Sequence, residues 1–82
     1  MVDVAAETKI VLAASLQLGE RVDSFVESTP LLGSLPELDS MAVVTLITAI
    51  EDHFGVFVED DEITADTFES LGSLITFVES KL

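Results

Sequence analysis

The sequence predicts an all-α fold, a small bundle of three main helices plus one short helix, with a long loop between the first and second helices. Three observations carry this. Apolar residues recur at helical spacing in three separate stretches. Each stretch opens on residues suited to cap a helix: Asp3, Asp39-Ser40 and Ser70. The β-branched run Val56-Phe57-Val58 has no second convincing strand to pair with, so it reads as an extended, packed loop.

Taken in order, Asp3 caps a first helix running to about Leu18, with Gly19 as its stop. Ile10, Ala13, Ala14 and Leu18 recur at helical spacing, while Val11, Leu12 and Leu16 make the helix apolar on more than one side. That pattern implies a wide buried face or a partner surface. Residues 19–39 form a long connection, and a loop of that length needs pins. Phe25, Val26, Leu31, Leu32 and Leu35 are available for this. Thr29-Pro30 has the form of a cap followed by proline at the first helical position, so a short turn of helix fits there.

The second helix opens at Ser40. Val43, Leu46, Ile47, Ile50 and Phe54 fall on one core-facing stripe, and Gly55 ends it. Thr64 caps a very short helix through Phe68. Ser70 caps the last helix, which runs to about Ser80 with Leu71, Leu74, Ile75 and Val78 on its apolar face. Lys81 suits the negative C-terminal end of that helix.

The chain has 82 residues, read as one domain over 1–82. At this size a fold buries about 60–65% of its unfolded surface, enough for a modest core but not for a deep substrate pocket. Hydrophobic residues make up 49% of the chain, which argues against disorder despite the charge. Sixteen acids face three bases, for a net charge of −13. Nucleic acid and anionic membrane surfaces are therefore disfavoured, since both need clustered Lys and Arg. Basic protein patches are the natural partners, and the charge steers that encounter. Half of the acids lie between residues 51 and 69, where there is no Lys or Arg. Self-repulsion there predicts that stability rises with salt or divalent cations.

There is no cysteine, which removes disulfides and thiolate metal sites. No signal-peptide pattern and no apolar run of the roughly 18–20 residues that span a bilayer is present, so the expected location is cytoplasmic. Glu59-Asp60-Asp61-Glu62 lacks the alternation and central glycine of an EF-hand loop, and His53 is the lone histidine; no metal site is expected.

Asp39-Ser40-Met41 is the candidate site. A serine between an acid and a large apolar residue, at a helix start in a small acidic chain, points to covalent attachment by another protein. Catalysis by Ser40 would need a base, and His53, thirteen residues on, is about 20 Å away along a helix. The plainer reading is that Ser40 or Asp39 is only a helix cap, and caps vastly outnumber modified serines. Ser34 and Ser73 also precede an apolar residue. Ser34 begins no long helix, and Ser73 lies inside the last one.

With this order of elements, the chain resembles the acyl carrier protein family over nearly its whole length. Asp39-Ser40 followed by an apolar residue, the stripe to Phe54-Gly55, and Ser70 opening the last helix carry the resemblance. It implies that Ser40 is joined by a phosphodiester to phosphopantetheine, taken from coenzyme A by a magnesium-dependent phosphopantetheinyl transferase. Acyl groups would ride on that arm as thioesters. Acyl-activating and acyl-transferring enzymes with basic patches would make every bond, and this chain, a monomer, would not be an enzyme.

Partner recognition is expected on the outer side of the second helix, at Met41, Val44, Thr48 and Glu51, with Asp39 and Asp52 adding charge. Met41 and Val44 read equally well as shields for the core edge. Ala42, Thr45 and Thr48 are uncharged where many family members carry acids, and Met41 replaces the usual leucine. These departures argue against a simple assignment to primary fatty-acid synthesis. They point to a specialised lipid or polyketide-type pathway with a more apolar partner interface. Small gaps lined by Ile47, Ile63, Phe68 and Leu74 could shelter an acyl chain. An aminoacyl or peptidyl carrier is the related alternative. An unmodified acidic helical adaptor for a basic partner is the alternative from another class, and a small enzyme the least supported.

Overall fold

The Asp3 carboxylate accepts the Ala6 N–H and starts α1, Val4–Leu16. Asp39 caps α2, Ser40–Phe54, and Ser70 caps α3, Leu71–Lys81. The structure, a computed structural model, describes residues 3–82. Two short 3-10 segments, Gly19–Ser24 and Asp60–Glu62, complete the regular elements among the described residues. The bundle is all-α as expected, and α2 has the predicted bounds. Gly55 closes α2 at φ 67°, a left-handed conformation that glycine adopts without penalty.

α1 is the hub: it packs against both α2 and α3. This explains a helix that is apolar on more than one side. Periodicity alone could not say which apolar stripe faces inward, and the packing selects Thr8, Val11, Leu12 and Leu16. Ile10 is 55% exposed and Ala14 is exposed. Thr8 was not foreseen in the core, where its hydroxyl is buried without a partner. The helix stops before Leu18 because Gln17 turns left-handed and the Leu18 N–H closes back on the Ala13 carbonyl at 3.0 Å. Leu12, Leu46, Ile50, Leu74 and Val78 are fully buried where the three helices meet. Full burial of each contributes about 1.5–3 kcal/mol.

The long connection is pinned differently from the expectation. Val26 and Leu32 are exposed, Phe25 is half-buried, and Leu31 and Leu35 reach the core together with Val22 and Leu38. No helix forms at Thr29-Pro30. Pro30 instead makes an isolated antiparallel bridge to Ser70. The reason lies in α3, whose first N–H groups have no partner inside their own helix. The Leu71 N–H donates to the Thr29 carbonyl at 2.9 Å and the Gly72 N–H to the Glu27 carbonyl at 2.8 Å. In return the Leu31 and Leu32 N–H groups donate to the carbonyls of Glu69 and Phe68.

Gly72 is needed for that approach, since a Cβ there would lie 2.9 Å from the Glu27 carbonyl oxygen. Glycine to alanine inside a helix normally gains about 1 kcal/mol. Here the sign reverses: Gly72→Ala is expected to destabilise by roughly 1–3 kcal/mol, as overpacking does, read as a lower urea midpoint.

The short helix expected from Thr64 to Phe68 is a succession of turns. Thr67, Phe68 and Glu69 donate to the carbonyls of Thr64, Ala65 and Asp66. The Thr64 hydroxyl takes the Thr67 N–H and the Thr67 hydroxyl donates to the Glu62 carbonyl. These side chains compete with a helical ladder. Val58 is buried, as expected of a packed loop, and its N–H donates to the Glu51 carboxylate at 2.9 Å.

The bases are all engaged. Arg21 pairs with Glu37, Lys81 with Glu62, and Lys9 donates to the Phe25 carbonyl. The Lys81 ammonium, with help from the Glu59 N–H, holds the Glu62 carboxyl below its ordinary value of 4.5. A depressed folded pKa stabilises above the unfolded value and ceases to do so as pH falls through the folded one. The melting-temperature gap between the wild type and Glu62→Gln is therefore expected to hold above the ordinary carboxylate value of 4.5 and to close as the pH falls from there through the lowered folded value.

Candidate functional site

The first turn of α2 answers the question of the cap. The Asp39 carboxylate accepts the Ala42 N–H at 2.8 Å, and the Asp39 carbonyl accepts the Val43 N–H at 2.9 Å. Asp39 therefore does the capping, and Ser40 stands at the first helical position, exposed, with no capping duty. The Ser40 and Met41 N–H groups have no partner among the described residues. Two N–H donors and the positive end of the helix dipole thus lie beside a solvent-facing hydroxyl, a setting that favours a phosphodiester. Asp39→Ala is expected to cost about 1 kcal/mol, and Asp39→Asn, which keeps an acceptor, far less; thermal melts separate the two.

The carboxylate next to Ser40, that of Asp39, is engaged by the Ala42 N–H. His53 is at the other end of α2, its Nε2 2.9 Å from Glu7 Oε1 on α1. No cluster of His, Cys, Asp or Glu suited to a metal ion occurs among the described residues. No described helix is long and apolar enough to cross a membrane. The competing serines are placed as expected. Ser73 is half-buried in the cap of α3, donating to the Thr67 carbonyl and accepting the Ser70 N–H. Ser34 sits in a turn closed on Leu31.

Ser40 opens onto a groove of about 350 Å³, lined by Leu32, Val43, Val44, Ile63, Thr64, Ala65 and Phe68. Of the four residues expected to line a gap, Ile63 and Phe68 do so here. Ile47 faces a neighbouring groove, and Leu74 is fully buried and lines neither. Leu32 was expected to pin the loop and instead forms one wall.

Along the outer side of α2, Met41 is 74% and Val44 59% exposed, with Thr48 and Asp52 exposed beyond them. Glu51 is half-buried and holds the Val58 N–H, so it is tied to the loop as well as to this face. Phe57, missed in the sequence, is 71% exposed and lines a groove together with Val44 and Thr48. The alternation of an extended chain was the available signal: with Val56 and Val58 packed inward, the residue between them points out.

Two comparisons bear on this site. Residues 9–78 match the model of a family described as a phosphopantetheine attachment site. The chain is also similar to a holo acyl carrier protein from Nitrosomonas europaea whose solution NMR structure is known. The two share 53% sequence identity over 99% of this chain and 96% of that one, with a TM-score of 0.87.

Proposed function

The chain belongs to the acyl carrier protein family, a family of carriers rather than enzymes, and on that premise we propose that its phosphopantetheine is attached at Ser40. The observation that carries this is the division of labour in the first turn of α2. Asp39 holds the cap and leaves the Ser40 hydroxyl exposed beside two unpartnered N–H groups. The unmodified adaptor is set aside, because the family is defined by phosphopantetheine attachment.

In loading, the Ser40 oxygen would lose its proton and form a bond to the pantetheine-side phosphorus of coenzyme A, while the pyrophosphate P–O bond breaks and adenosine 3′,5′-bisphosphate leaves. The Asp39 carboxylate is engaged by the Ala42 N–H and His53 sits at the other end of α2, so the proton goes to the transferase. Phosphopantetheine supplies a flexible arm ending in a thiol, on which acyl groups ride as thioesters. Asp39 keeps the first turn rigid, and the N–H groups of Ser40 and Met41 stabilise the anion. The groove beside Ser40, with Val43, Val44, Ile63 and Phe68 in its lining, is where cargo at the end of the arm would lie if the arm folds back. That lining suits an alkyl chain better than a charged aminoacyl group.

The uncharged run from Ser40 to Ile50 supports service in a specialised lipid or polyketide-type pathway with partners that read an apolar surface. Intact mass after incubation with coenzyme A, magnesium and a broad-specificity phosphopantetheinyl transferase tests the reading. The expected result is a gain of one phosphopantetheine on the fragment containing Ser40. A gain mapped to Ser34 or Ser73, or none with several transferases on folded protein, would overturn it.

A further inference from the structure

The face of α2 nearest Ser40 has little to offer a basic patch, because no charged residue occurs from Ser40 to Ile50. What it presents is apolar. Met41 and Val44 are exposed on α2, and Phe57 is exposed on the following segment. Between α2 and residues 57–63 runs a groove of about 510 Å³, lined by Val44, Ile47, Thr48, Phe57 and Ile63, with acids only at Glu51, Glu59 and Asp60. Glu51 is committed to the Val58 N–H and Glu59 to the Glu62 N–H, while the Asp60 carboxylate has no partner among the described residues. The groove therefore combines an apolar lining with three carboxylates, of which that of Asp60 is free of partners among the described residues. It shares Val44 and Ile63 with the groove at Ser40, so an enzyme that reaches Ser40 lies over both.

An exposed apolar patch rimmed by polar groups marks an interaction site. A second copy would set a net charge of −13 against another. Charge complementarity instead fits a protein with an apolar side chain flanked by Lys or Arg. We propose that partner enzymes dock by seating one aromatic or branched aliphatic side chain between Val44, Thr48 and Phe57, with an adjacent Lys or Arg meeting Asp60 and Glu59. This rests on the carrier reading and names the partner chemistry it requires. Phe57 is the specificity-determining contact, since aromatic anchors dominate interfaces while charges set encounter rate and orientation.

The transferase is itself a partner that must reach Ser40, so loading kinetics with a broad-specificity phosphopantetheinyl transferase provide the test. Phe57→Ser and Val44→Ser are expected to raise KM roughly tenfold with little change in kcat, because both remove uniform binding. Phe57→Leu, which keeps an apolar contact, restores most of it. Ile10→Ser, on the outer face of α1 and in a different groove, leaves KM unchanged. Raising NaCl from about 50 to about 300 mM raises the wild-type KM less than about threefold, since screening spares an apolar contact.

A wild-type KM for Phe57→Ser overturns the proposal. So does an equal loss in Ile10→Ser, which would mean general adhesion, or a salt effect well above tenfold, which would mean docking by charge. A wild-type chain that is never loaded overturns the carrier reading itself, and the groove proposal falls with it. Both serine substitutions are at exposed positions, and circular dichroism melts verify that the fold is retained.

Discussion

Ser40→Ala keeps its melting temperature within roughly 4 °C of the wild type and takes up no phosphopantetheine at all. The two halves of that result have separate causes. Stability is preserved because the Ser40 side chain does no structural work: it is exposed, and the cap belongs to Asp39. Alanine at the first helical position is a good helix former, and exposed substitutions away from special features stay within about 0.5 kcal/mol. Loading is abolished because no other serine offers an exposed hydroxyl at the start of a long helix. Ser34→Ala should load normally. Ser73→Ala should also load normally, but melt lower for want of its place in the cap of α3. Intact mass and thermal melts on the three variants give the pattern. Residual loading of Ser40→Ala would move the attachment point elsewhere.

The sequence could reveal α2 and its serine because everything that specifies them is local. A cap, one unbroken apolar stripe and a terminal glycine lie within Asp39–Gly55, and the structure keeps each in its expected role. It could not reveal the course of residues 25–32, because that course is set by the unpaired N–H groups of α3, forty residues on in the chain. Thr29-Pro30 has the local form of a helix start, but the open donors of Leu71 and Gly72 favour an extended chain there. The same holds for α1, where two apolar stripes compete and only its place between α2 and α3 decides. Around the proposed site, the helix start at Ser40 and the outward positions of Met41 and Val44 were legible. The groove walls were not, because Leu32 and Phe57 come from segments with no regular structure of their own.

Phe68→Ala is expected to cost about 3–5 kcal/mol, the usual range for removing a buried aromatic. Phe68 is 2% exposed and sits at the end of the turns that replace the expected short helix. Its carbonyl also accepts the Leu32 N–H at 2.9 Å, which ties the long connection to the segment before α3. A domain of this length has a total stability of about 4–12 kcal/mol, so the loss is a large share of the whole and lowers the melting temperature steeply. Phe68→Leu fills most of the volume and should lose less than about 1.5 kcal/mol. Self-repulsion from the net charge of −13 acts on the same balance. Raising NaCl to about 0.3 M, where screening is strong, should therefore return part of the lost melting temperature in Phe68→Ala and raise the wild type as well. Urea midpoints at two salt concentrations measure both effects. A loss below about 1 kcal/mol would mean that the cavity collapses on truncation. The groove beside Ser40 would then be a soft surface that reshapes around its occupant, because Phe68 lines it as well as the core. A full loss, partly recovered by salt, would mean that the groove wall is as rigid as the core, and that cargo folded back on its arm meets a preformed surface.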